Sequence, residues 1–194
     1  FIAEILARRG VASTQELELK LKYLLAPSLK GLNEAIQLMD AAIDQQHKIV
    51  IVGDYDADGA TSTALMVLAL REMGAQVEYL VPDRFKYGYG LTPAIADLAF
   101  TSFTPDLLIT VDNGISSHDG VKQAQDHGMQ VIITDHHLTT KPTPSAQAVV
   151  NPNQLGCDFP SKALAGVGVA FYVLANLSTY RKKLNKSSAL MSQY

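Results

Sequence analysis

The chain has 194 residues, 47% apolar and 18% charged, an ordinary balance for a globular protein able to bury a core. No apolar run approaches the roughly 18 residues of a membrane span, no signal-peptide pattern opens the chain, and the lone Cys157 excludes an internal disulfide and favours a reducing cytoplasm. The formal net charge of −3 does not decide the partner: it becomes +2 once Asp54, Asp56, Asp58, Asp112 and Asp135, five acids in candidate metal positions, are set aside.

Phe1 to Ala26 carries apolar residues at helical spacing (Ile2, Ile5, Leu6; Leu17, Leu21, Leu24, Leu25), with a break near Arg9-Gly10 and a stop at Pro27. The chain opens at Phe1, without methionine and inside that expected helix, as a fragment would. Leu32, Ile36, Met39 and Ile43 mark a second, amphipathic helix, so residues 1–46 form an N-terminal helical segment. Its basic residues Arg8, Arg9, Lys20 and Lys22 read as a solvated face.

From Lys48 onward strands and helices alternate. The strand candidates are Ile49–Val52, Val77–Val81, Leu107–Val111, Val131–Thr134 and Ala148–Val150. Helices are expected at Thr61–Met73, entered through Thr61, Ser62 or Thr63, at Pro93–Phe100 and at Ser116–His127, with Ser116 and Asp119 as a capping box. A last helix runs from a Ser161 cap to about Ser178, and Lys182–Tyr194 is expected to fray. Continuous apolar strands separated by helices predict an α/β fold: a parallel five-stranded sheet flanked by helices, with an N-terminal helical arm.

Chemistry gathers where strands end. Asp54, Asp56 and Asp58 follow the first strand at alternate positions, and three carboxylates there repel one another unless a cation sits among them. An EF-hand is rejected, because a strand precedes the cluster and the twelfth loop position is Leu65 instead of glutamate. Asp56-Ala-Asp-Gly59 also suits a haloacid-dehalogenase type of phosphatase, so later motifs must arbitrate. The third strand ends in Asp112-Asn113-Gly114 and the fourth in Asp135-His136-His137. Adjacent histidines on a regular strand point to opposite sides, so only a turn brings both inward.

In this order the three clusters resemble the first three motifs of the DHH phosphoesterase superfamily. Gly53-Asp-Tyr-Asp-Ala-Asp-Gly-Ala-Thr-Ser62, Val111-Asp-Asn-Gly-Ile-Ser116 and Leu164-Ala-Gly-Val-Gly-Val-Ala170 are similar to its RecJ branch of bacterial single-strand-specific exonucleases, and the match covers nearly the whole chain. The resemblance implies that Asp56, Asp58, Asp112 and His136 ligate two Mn²⁺ or Mg²⁺ ions, with Asp54 a nearby ligand or outer acid. It also implies that His137 faces the scissile phosphate and Asp135 orients the histidines. Residues 47–194 would then be the DHH domain, short of the family's last aspartate motif and its second domain, which leaves this segment alone inactive.

Arg84-Phe-Lys-Tyr-Gly-Tyr-Gly90 mixes cations and aromatics; Tyr87 and Tyr89 suit base stacking, Arg84 and Lys86 suit phosphates, and Asn113 joins the substrate-binding candidates. Gly166-Val-Gly168 reads as small residues that let a helix approach closely, and Arg181, Lys182, Lys183 and Lys186 as a solvated helix end. The expected function is two-metal hydrolysis of single-stranded DNA, 5′-to-3′ by resemblance, in repair and recombination. Partners implied by the resemblance are single-strand-binding protein and a helicase. The alternatives are a DHH phosphatase on pyrophosphate or cyclic dinucleotides, signalled by a closed pocket, and a DNA-binding scaffold without catalysis.

Overall fold

Four consecutive β-branched residues, Ile49 to Val52, are each at most 1% exposed, so side chains that alternate up and down both need apolar cover. The computed structural model, which describes residues 1–18 and 20–191, supplies that cover with helices on both faces of one sheet. In chain order the elements are α1 (Ile2–Arg8), α2 (Leu32–Asp44), β1 (Lys48–Val52), α3 (Ala57–Glu72), β2 (Gln76–Leu80), α4 (Arg84–Tyr87), α5 (Pro93–Phe103), β3 (Leu107–Val111), α6 (His118–Asp126), β4 (Gln130–Thr134), β5 (Ala148–Val150) and α7 (Gly166–Lys183). All pairings are parallel, in the order β2-β1-β3-β4-β5. Every expected strand is present within one residue of its predicted bounds.

Alternate strand residues face two separate cores. Ile49, Ile51, Leu107 and Ile109 meet α2, α3 and α7, while Val50, Val52, Leu108 and Val131 meet α5 and α6. The crossover from β1 to β2 passes through α3 on the first face, and the return to β3 passes through α5 on the second. Between β1 and β3 the connections diverge, and the crevice at the carboxyl ends of such a strand pair is where open α/β sheets bind ligands.

Three helix starts depart from expectation. Helix α3 starts at Ala57, four residues before Thr61, because Asp56 caps it by accepting from Gly59 N at 2.8 Å. Ser116 and Asp119 form no capping box; Ser117 precedes α6, and its Oγ instead accepts from Leu91 N at 3.1 Å. Ser161 caps nothing at α7, which begins at Gly166 after Ala165. The arm is not one broken helix over Phe1–Ala26: among the described residues, α1 is followed before α2 only by 3-10 turns at Thr14–Leu17 and Leu21–Tyr23. Ile2, Ile5, Leu17, Leu21, Leu24 and Leu25 remain exposed, and short helices without a packed face are marginal in water.

The basic end of α7 is structural. Arg181 is 3% exposed, and its Nη1 donates to Asp40 Oδ1 at 2.5 Å and Asp44 Oδ1 at 3.0 Å, while Lys186 Nζ reaches Asp40 Oδ2 at 2.7 Å and Asp44 Oδ2 at 2.6 Å. This pins α7 to α2 and orders the chain to Ala189, whose carbonyl accepts from Ser178 Oγ, so the expected fraying is absent there. Residues 192–194, the last of that stretch, lie outside the described residues.

Arg181→Ala would leave the Asp40 carboxylate to Lys186 alone and is expected to cost on the order of 2 kcal/mol in a urea melt. Hydrogen bonds from Lys186 and then Arg181 hold the Asp44 carboxyl below its ordinary value. Its contribution is therefore complete above the unfolded carboxylate pKa, about 3.9, and is lost as pH falls through the depressed folded value. Asp44→Asn should flatten the acid limb of the melting-temperature profile.

Candidate metal centre

Past β1 the chain turns sharply into α3, and the three aspartates take different anchors. Asp54 Oδ1 and Oδ2 accept from Arg84 Nη2 at 2.7 and 2.8 Å. Asp56 caps α3. Asp58, in the first turn of α3, spans to another helix: its Oδ2 accepts from Gly166 N and its Oδ1 from Val167 N, both at 2.7 Å. A carboxylate on the free amides of α7 is favoured by hydrogen bonding and by the helix dipole. Gly59 permits the tight turn, since a Cβ there would stand 2.6 Å from Asp54 O.

At the end of β3, Asp112 adopts φ 60°, the left-handed region that non-glycine residues seldom occupy. Its N–H donates to Thr134 O at 3.0 Å, and the Asn113 side-chain amide donates to Val52 O at 3.1 Å and Val111 O at 2.9 Å, tying the ends of β1 and β3 together. Asn113 is 2% exposed, so the structure places it beneath the site. Asp112 is equally buried, and its Oδ1 has no hydrogen bond among the described residues.

At the end of β4, Asp135 bends the chain. Its Oδ1 accepts from His136 N at 2.7 Å and His137 N at 3.1 Å, and Oδ2 accepts from Ile115 N at 2.9 Å. Asp135 Oδ1 also lies 2.7 Å from His137 Nδ1. That turn breaks strand alternation, so both imidazoles point inward with ring centroids 4.7 Å apart. Burial pushes the Asp135 carboxyl up, but the hydrogen bonds from His137 and Ile115 outweigh it and hold the group low. The Asp135 hydrogen bond holds His137 above its ordinary value. Two asparagines just after β5, which sequence analysis did not single out, brace this bend: Asn151 Nδ2 donates to His137 O at 3.0 Å and Asn153 Nδ2 to His136 O at 2.6 Å.

Three strand ends thus converge. His136 Nε2 lies 3.1 Å from Asp112 Oδ1 and 3.5 Å from Asp58 Oδ2, and one ligand atom from each of Asp112, His136 and His137 falls within a 4.8 Å group. Burial and the charges of Asp58 and Asp56 push the Asp112 carboxyl up to about 7. A buried oxygen without a donor, crowded by carboxylates and faced by imidazole, fits a divalent cation of the Mn²⁺ or Mg²⁺ kind.

Beside this centre, Arg84 lies with its guanidinium carbon 3.9 Å from the Tyr55 ring centroid and 5.3 Å from that of Tyr89. The Tyr89 hydroxyl is 3.2 Å from His137 Nε2. Tyr87 is partly buried and packs against the second core, while Phe85 is 94% exposed. Tyr55 was not singled out by sequence; its place between two site aspartates was the available signal.

A family profile described as the DHH family, N-terminal domain, matches residues 48–193. The single-stranded-DNA-specific exonuclease RecJ of Escherichia coli (strain K12) is 50% identical over 181 residues, covering 92% of this chain and 31% of that protein. A crystal structure of exonuclease RecJ bound to manganese aligns with a TM-score of 0.73 at 38% identity, covering 86% of this chain and 42% of the other. RecJ in complex with Mg²⁺ from Thermus thermophilus aligns with a TM-score of 0.57 at 31% identity, covering 95% and 21%.

A Cβ on Gly166 would sit 2.5 Å from Asp112 Oδ1, whereas one on Gly168 meets only the flexible end of Leu164 at the same distance. Gly166→Ala is therefore expected to weaken Mn²⁺ binding by roughly tenfold or more in calorimetric titration, the scale of lost support around a metal ligand. Gly168→Ala should change it far less.

Proposed function

The chain belongs to the DHH family, matched over residues 48–193, and on that premise we propose that it is the front part of a two-metal exonuclease that hydrolyses single-stranded DNA. It spans about a third of the length of the E. coli relative, at 31%. The observation that carries the proposal is Asp112 Oδ1, buried without a hydrogen bond among the described residues and 3.1 Å from His136 Nε2, which also lies 3.5 Å from Asp58 Oδ2. Asp58, Asp112 and His136, with Asp56 beside them, would hold two Mn²⁺ or Mg²⁺ ions. Bound there, the ions supply Lewis acidity and make water nucleophilic near neutral pH.

The chain's own residues do the rest. Asp135 fixes His137 through Nδ1, which leaves Nε2, now 3.2 Å from the Tyr89 hydroxyl, as the ring nitrogen that would hydrogen-bond a phosphate oxygen in the transition state. Arg84 carries a positive charge beside that point, and Tyr55, Tyr89 and Phe85 present exposed aromatic surface around it. An open, aromatic-rimmed approach suits a strand of nucleotides better than the closed pocket expected for pyrophosphate or a cyclic dinucleotide. Removal of nucleotides in the 5′-to-3′ direction, contact with single-strand-binding protein and a helicase, and a cytoplasmic setting complete the proposal by resemblance.

The test is degradation of end-labelled single-stranded DNA by the full-length protein with Mn²⁺. Asp112→Ala should lose more than about 100-fold in kcat, beyond the range typical of outer-shell changes, and a tight Mn²⁺ site with it. Undiminished degradation would remove the assignment, and a wild-type protein with no tight Mn²⁺ site would leave a DNA-binding scaffold instead.

A further inference from the structure

Asp54 differs from its neighbours in what already occupies it. Both carboxylate oxygens accept from Arg84 Nη2, at 2.7 and 2.8 Å, and Oδ1 also accepts from Tyr55 N at 2.7 Å. The Asp54 side chain is 10% exposed and that of Arg84 32%, so water competes little for the carboxylate side of the pair. Asp58 is also held through both oxygens, but by the backbone amides of Gly166 and Val167, whereas Asp54 is paired with a guanidinium.

On the far side of the pair, the Arg84 guanidinium is held over Tyr55 and beside Tyr89, and its Nε is buried with no hydrogen bond among the described residues. The Tyr89 hydroxyl in turn meets His137 Nε2. A carboxylate bonded through both oxygens to a guanidinium has little charge left for a metal ion, and an ion at that carboxylate would lie against a fixed cation. What the pairing does achieve is to remove the rotamer freedom of a long side chain beside the reacting phosphate.

We propose that Asp54 is a positioning residue and not a metal ligand: it locks Arg84 between Tyr55 and Tyr89 so that the guanidinium receives a nucleic-acid phosphate next to His137. This rests on the phosphodiesterase function proposed above. Asp56 and Asp58 are then the acids of the first cluster that serve the metals, and Asp54 serves the substrate through Arg84.

The experiment is a double-mutant cycle of Asp54→Asn and Arg84→Ala in the full-length protein, with Asp112→Asn as the metal-loss control. Mn²⁺ stoichiometry and affinity are read by calorimetry, KM and kcat on single-stranded DNA, and folding by melting temperature. Asp54→Asn is expected to keep Mn²⁺ affinity within about twofold and to raise KM roughly tenfold with little change in kcat, as Arg84→Ala does. The double variant should be no worse than Arg84→Ala alone. Loss of a Mn²⁺ ion on Asp54→Asn, or a further tenfold fall in kcat when it is added to Arg84→Ala, would overturn the proposal. Asp54→Ala takes its place in the same cycle if the asparagine variant does not fold. Should the wild-type protein leave single-stranded DNA intact, the functional assignment falls by itself, and the Mn²⁺ titration still decides whether Asp54 is a ligand.

Discussion

Mutual repulsion of carboxylates at the β1–β3 crevice is the constraint around which the site is built. Asp54, Asp56, Asp58, Asp112 and Asp135 reach one rim of one sheet, and like charges at such spacing must be neutralised or held by donors. Four of them are anchored within the chain: Asp54 by Arg84, Asp56 by the α3 amide of Gly59, Asp58 by the amides opening α7, and Asp135 by three backbone amides and His137. Asp112 Oδ1 has no such anchor among the described residues. The protein thus leaves one buried carboxylate oxygen without a donor, in surroundings that fit a divalent cation.

The anchors also explain the architecture around the rim. Because Asp58 occupies the first amides of α7, that helix needs no local cap, and it begins at Gly166 within reach of Asp112 instead of at Ser161. The clamp of Arg181 and Lys186 on Asp40 and Asp44 secures the opposite end of the same helix to α2. The helix is held at both ends by ion pairs or charge-assisted hydrogen bonds. Its apolar middle fills the first core through Val169, Val173, Leu174 and Leu177. Stability and site geometry therefore share one element.

The histidine pair shows how a local rule yields to a specific hydrogen bond. Regular strand geometry sends neighbouring side chains to opposite faces, but Asp135 accepts from both following amides and curls the chain. Asn151 and Asn153, at the end of β5, take up the carbonyls that this curl frees. The strand order matters here, because β5 lies beside β4 and brings those asparagines to the turn.

The five strands, their parallel class and the three acidic or histidine clusters at strand ends were legible in the sequence because each depends on residues close along the chain: apolar runs, their period, and the turn that follows. Oxygen-rich chemistry with imidazole was equally legible, since it needs only residue types. The tertiary structure decided which acid is left without a donor, that Arg84 pairs with Asp54, that Tyr87 packs inward while Tyr89 meets His137, and that α7 starts where Asp58 reaches it. Those outcomes join residues 30 to 109 positions apart. No periodicity encodes them, because they follow from how the packed helices and strands bring distant side chains within hydrogen-bond reach.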